Sequence, residues 1–198
     1  MTTLYKIFGF LFFLACETNA FATSLEKGMN AIKNRNFSAA FAHLEPLAKD
    51  GDAVAQYNLG VMHIRGLGTK KNGRLAIKWL TLAANQENFL AQYFLGYIYE
   101  HGKSVQKNYK AASVFYKQAA EQGHPSAQTN LGALYYFGHG VKQSNILAHF
   151  WWTIASSKVD GAERNKKMIE GKMTADELSQ SEMLVRLCNA EQLGQCLN

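Results

Sequence analysis

A spacing of 36 residues governs this chain. Ala55, Gln56, Leu59, Gly60 and Gly66 recur as Ala91, Gln92, Leu95, Gly96 and Gly102, then as Ala127, Gln128, Leu131, Gly132 and Gly138. The downstream half keeps the same step: Ala76, Trp79 and Ala83 return as Ala112, Phe115 and Ala119, then as Ala148, Trp151 and Ala155. A fixed period between about 20 and 50 residues marks a solenoid, whose units bury their apolar faces only against their neighbours. A chain so built is expected to bind rather than to catalyse.

One unit reads as a helical hairpin. Between Ala53 and His63 the positions Ala55, Leu59 and Met62 share one stripe at helical spacing. Gly66 and Gly68 then break the helix, as residues tolerant of positive φ do past a helix end. A second helix begins beyond Asn72, an N-capping type of residue, and the matching positions hold Asn108 and Ser144. Ala76, Trp79, Leu80 and Ala83 give that helix its apolar face. Gly60, Gly96 and Gly132 stand inside the first helices, where glycine costs up to about 1 kcal/mol relative to alanine. Close packing against a partner helix would justify them.

The combination A-Q-x-x-L-G, a Gly-rich turn, A-x-x-W/F and A-A resembles the Sel1-like repeat, a relative of the tetratricopeptide repeat. It is carried by Ala55 to Gly60, Gly66 to Gly68, Ala76 to Trp79, and Ala83 with Ala84. The resemblance implies an all-α, right-handed α/α solenoid of antiparallel helix hairpins. Its expected parts are a helix pair over 23–52, repeats over 53–88, 89–124 and 125–160, and capping helices over 161–198. In the cap, Gly161 to Gly171 is a charged helix candidate, and Thr174 with Glu177 makes a capping box ahead of a last helix to about Cys188.

In tetratricopeptide-like folds the first helix of each pair lines the concave side. By that analogy the groove is expected to carry Tyr57, Asn58, Val61 and Arg65 in the first repeat. Tyr93, Tyr97, Glu100 and His101 would follow in the second, and Thr129, Asn130 and Tyr136 in the third. Tyrosines mixed with polar groups suit a peptide or protein segment, since Tyr offers area at low entropic cost and a hydrogen bond at its tip. Packing between adjacent helices is the competing use of the same residues.

Other chemistry is marked down. Six histidines, His43, His63, His101, His124, His139 and His149, form no HExxH or comparable pair, and no metal or cofactor is expected. Ser104-Val105-Gln106-Lys107 matches the S-x-x-K of penicillin-recognising enzymes, and some cysteine-rich relatives suggest a cell-wall or beta-lactam-acting hydrolase as the alternative. That motif needs its serine at a helix start together with SDN and KTG elements, and neither companion occurs. Arg65, Lys70, Lys71, Arg74 and Lys78 gather around the first turn, either as a solvated loop or as a surface for an acidic partner.

The first 22 residues read as a secretory signal peptide, with Lys6, an apolar run from Ile7 to Cys16, and a small-x-small site ending at Ala22. A span would need about 20 apolar residues. Lipidation at Cys16 is the competing reading, although bulky Phe13 and Leu14 fit it poorly. Export to the periplasm or beyond would allow a disulfide between Cys188 and Cys196, worth about 2 to 3 kcal/mol by loop entropy. The net charge of +6 is dispersed, so a protein or peptide partner is expected, without nucleic acid and without a stable membrane span. A monomer is favoured.

Overall fold

The computed structural model describes residues 23–188 and residue 193, and every regular element among them is a helix. Helix α1 (residues 23–33) precedes α2 (Phe37–Lys49), α3 (Ala53–Arg65), α4 (Gly73–Ala84), α5 (Phe89–His101) and α6 (Tyr109–Glu121). There follow α7 (Pro125–Phe137), α8 (Asn145–Ala155), α9 (Asp160–Glu170) and α10 (Ala175–Leu187). The chain divides into two compact units, one ending at Ala83 and the other beginning at Ala84. Among the described residues no helix is long and apolar enough to cross a membrane. The expected leader and Cys196 lie outside the described residues, and so therefore does the expected Cys188–Cys196 bridge; Cys188 is buried in the core of the second unit.

Two series of caps start the helices. Asn36, Asn72, Asn108 and Ser144 stand 36 residues apart, and each side chain accepts the backbone N–H three residues on. Asp52, Asn88 and His124 do the same for α3, α5 and α7. Each cap satisfies a donor that the helix itself cannot, worth typically about 1 kcal/mol. Gly66, Gly102 and Gly138 end those three first helices in the left-handed conformation, at φ 71°, 69° and 68°.

The repeated glutamine has a structural office. Gln56 Nε2 donates to the Ala48 carbonyl at 3.1 Å, Gln92 Nε2 to Ala84 at 3.2 Å, and Gln128 Nε2 to Ala120 at 3.0 Å. All three side chains are buried. Each ties a first helix to the closing turn of the helix before it, giving a second partner to a carbonyl that already accepts a backbone N–H within that turn.

The glycines inside the first helices also share one explanation. A Cβ at Gly60 would lie 2.5 Å from Leu80 Cγ, one at Gly96 2.5 Å from Tyr116 Cδ1, and one at Gly132 2.7 Å from Trp152 Nε1. Leu80, Tyr116 and Trp152 are themselves 36 residues apart and fully buried. Each hairpin therefore closes by a large side chain set against a bare stretch of backbone. In the first unit the core gathers Leu44, Leu59 and Met62, and in the second Tyr116, Leu131, Leu134, Phe150 and Trp151. Burying a side chain of this kind contributes about 1.5 to 3 kcal/mol.

The C-terminal helices cover the third repeat. Ala162 and Ile169 of α9 pack on Trp152 and Ala155. Thr174 and Glu177 form the expected capping box at the start of α10. Ser181 Oγ of α10 lies 2.8 Å from His149 Nδ1, while His149 Nε2 lies 3.3 Å from Glu170 Oε1. Ser181 is fully buried, so this Ser-His-Glu arrangement fastens three helices and offers no accessible nucleophile.

Candidate functional site

The first helices have two faces. Ala55, Gln56, Leu59, Gly60, Met62 and His63 of α3 are buried, whereas Tyr57, Asn58 and Val61 between them are half-buried and Arg65 is exposed. The same alternation gives α5 and α7 their outer faces. Tyr93, Tyr97, Glu100, Thr129, Asn130 and Tyr136 are half-buried and His101 is exposed. Thus the eleven residues singled out for a groove share a partly solvated register.

In the first unit these side chains lie beside a cavity of about 280 Å³ lined by Asn58, Val61 and Arg65 together with residues of the α1–α2 connection. Asn58 spends its amide on its own helix, donating to the Val54 carbonyl at 2.8 Å. Tyr57 is held neutral: burial raises its hydroxyl pKa, against a smaller opposing pull from Arg65.

In the second unit Glu100, Asn130 and Tyr93 gather around Tyr116, a residue that the repeat pattern marks only as core. Its O–H donates to Glu100 Oε2 at 2.6 Å, its side chain is also hydrogen-bonded to Asn130, and its ring lies 5.9 Å from that of Tyr93. Burial, then the Glu100 carboxylate, pushes this phenol far above the ordinary tyrosine range, so it remains a donor. Tyr93 stacks on His124 with ring centroids 4.4 Å apart, and its own pKa is raised by burial and by nearby Tyr97. Tyr97 accepts a hydrogen bond from Lys103 Nζ at 2.7 Å, and the His101 ring lies 4.2 Å from its ring.

Tyr136 is not part of that cluster. It lies against Trp152, its hydroxyl accepts from Lys172 Nζ at 2.6 Å, and its neighbour Phe137 is 61% exposed. Thr129 turns its hydroxyl onto the Pro125 carbonyl at 2.9 Å. The outer face is therefore aromatic, rich in hydroxyl and cationic groups, and stiffened by stacking from below. Such a face can present flat apolar area and hydrogen-bond tips without much ordering cost on binding.

Ser104 sits in a bend between α5 and α6 at φ 70°, not at a helix start. It occupies the place that Gly68 and Gly140 fill in the neighbouring turns, at φ 64° and 72°. The geometry required of an S-x-x-K nucleophile is thus absent at this serine.

A model of the Sel1 repeat matches residues 53–88, 90–124 and 125–160. The chain belongs to the Sel1 repeat family. Among solved structures, a protective antigen present in uropathogenic Escherichia coli strains, displaying an SLR fold, aligns at TM-score 0.70 and 33% identity. That alignment covers 81% of this chain and 36% of the antigen. A Sel1 repeat protein from Oxalobacter formigenes aligns at TM-score 0.65 and 26% identity over 81% of this chain and 74% of that one. A curated sel1-like repeat-containing protein of Acanthamoeba polyphaga mimivirus is 61% identical over 41 residues, 21% of this chain and 7% of the viral protein. The chain thus spans well under two thirds of the length of both the viral protein and the antigen.

Proposed function

We propose that this protein is an exported, non-catalytic scaffold that holds a protein or peptide segment on the outer faces of its first helices. The observation that carries the reading is the neighbouring pair Tyr93 and Tyr97 on α5, Tyr93 resting on Tyr116 with its Glu100 and Asn130 partners and Tyr97 held by Lys103 and His101. A core has no need of half-solvated tyrosines whose hydroxyls and rings are held in fixed positions. Tyr136 with exposed Phe137 extends the same chemistry onto the next first helix. The N-terminal sequence supports export. Mass measurement of the mature chain tests that part, with removal of residues 1–22 as the expected result.

Affinity capture from an envelope extract with the mature chain, repeated with Tyr97→Ala and Tyr136→Ala, tests the binding face. Thermal melting monitored by circular dichroism establishes that both variants remain folded. Loss of a specific partner from both is expected. Unchanged recovery with folded variants would remove these faces from the binding function.

A further inference from the structure

Although the basic residues are dispersed along the sequence, the net positive charge divides unequally between the two units. Residues 23–83 contain nine Lys and Arg against four Asp and Glu, which places +5 of the chain's +6 in the first unit. Of the four acids, Glu45 pairs with Lys49 at 2.9 Å and Asp52 accepts the Ala55 N–H as the cap of α3. Lys33, Arg35 and Arg65 surround the cavity of about 280 Å³, whose wall also includes Phe37, Val61 and Leu67. All three cations are exposed, and none forms an ion pair with a carboxylate among the described residues.

Arg35 is placed at the cavity by the way α1 ends: it adopts φ 58°, a left-handed conformation that costs an arginine about 1 to 2 kcal/mol, while its N–H donates to the Ile32 carbonyl and that of Asn36 to the Ala31 carbonyl. Lys70, Lys71, Arg74 and Lys78, all exposed, extend the cationic surface through the α3–α4 turn, where Lys71 packs close to Gly66 at the end of α3.

We propose that this cavity takes an acidic peptide segment, seating an apolar side chain on Phe37, Val61 and Leu67 while adjoining carboxylates meet Lys33, Arg35 and Arg65. The apolar wall decides between polyanions. A phosphate backbone would use the cations and leave the wall empty, whereas a peptide uses both. This assignment rests on the scaffold reading above and gives it a partner chemistry.

The test is selection of a random-peptide display library on the mature chain, followed by fluorescence anisotropy with the selected peptides. Enrichment of Asp and Glu beside an apolar residue is expected, with binding that weakens as salt rises. Lys33→Gln and Arg65→Gln should each weaken it about tenfold, the worth of one charge-assisted hydrogen bond. Arg35→Gly separates binding from folding, because relief of the left-handed strain should raise the melting temperature while the peptide binds less well. Selected peptides without acidic residues, or binding indifferent to all three substitutions, would overturn this assignment and leave the scaffold reading standing. If no peptide is selected, this assignment falls, and the scaffold reading is decided by the affinity capture with Tyr97→Ala and Tyr136→Ala. Binding of an oligonucleotide or an anionic vesicle that outcompetes every selected peptide, with the same dependence on Arg65, would replace the peptide by that polyanion.

Discussion

Single side chains settle how the repeats are joined. Gln92 is buried; its amide N–H donates to the Ala84 carbonyl, which also accepts the Glu87 N–H, while its own carbonyl oxygen accepts from Gln122 Nε2 at 2.7 Å. Gln92→Ala removes two hydrogen bonds, each worth about 0.5 to 1.5 kcal/mol, and about 1 to 3 kcal/mol of stability should be lost in a urea titration. A loss within error would mean that water replaces the amide at no cost. His124 invites a pH experiment. Its Nδ1 accepts the Ala127 N–H, and burial lowers its pKa from the ordinary 6.5. The unfolded chain therefore binds more protons than the folded one as pH falls through 6.5 toward the lowered value, and stability falls with it. His124→Asn installs the residue that caps α5 at Asn88, keeping the cap while removing the titration. Its unfolding midpoint should depend less on pH across that window, and an unaltered slope would assign the dependence elsewhere.

At the scale of helices and turns, much of this protein was legible in its sequence, and what was not legible has a physical cause. Asn72, Asn108 and Ser144 announced the second helices because a cap is a local device, readable three residues at a time. The glycines of the first helices implied a close partner, and the partners at Leu80, Tyr116 and Trp152 obey the same period. By contrast, the Tyr116–Glu100 bond joins two positions of unequal register, and the His149–Ser181 contact crosses from a repeat into the cap, where periodicity says nothing. Arg35 and Lys33 escaped notice because they precede the first full repeat. The turns supply a prediction of their own. Ser104 bears a left-handed backbone that glycine bears in the equivalent turns, so Ser104→Gly should stabilise the protein by roughly 0.5 to 1 kcal/mol in thermal unfolding. Gly96→Ala should act oppositely: a gain in helix propensity of up to about 1 kcal/mol is outweighed by overpacking of about 1 to 3 kcal/mol. The Tyr116 ring cannot swing clear, because its hydroxyl is tied to Glu100.

On the scale of the whole molecule, the consequence of repetition is that stability is local. Each unit of a repeat array interacts with its neighbours and not with a shared centre, so damage should spread only as far as contacts carry it. Ile169 offers a clean place to cause damage. It is fully buried on α9 among Ala148, Trp152 and Ala162, far along the chain from α2 and α3, whose core is formed by Leu44, Leu59 and Met62. Ile169→Ala should cost about 2 to 5 kcal/mol in the region it touches. Native-state hydrogen exchange resolves where that loss is felt. Amides of α8, α9 and α10 should exchange faster, since Trp152 loses its cover and the contact between His149 and Ser181 loosens, while amides of α2 and α3 keep their protection. Equal acceleration in every helix would show that the chain unfolds as one cooperative body. The protein's two differently charged units would then respond together, and the peptide proposed to bind at Arg65 would protect α10 as strongly as α3.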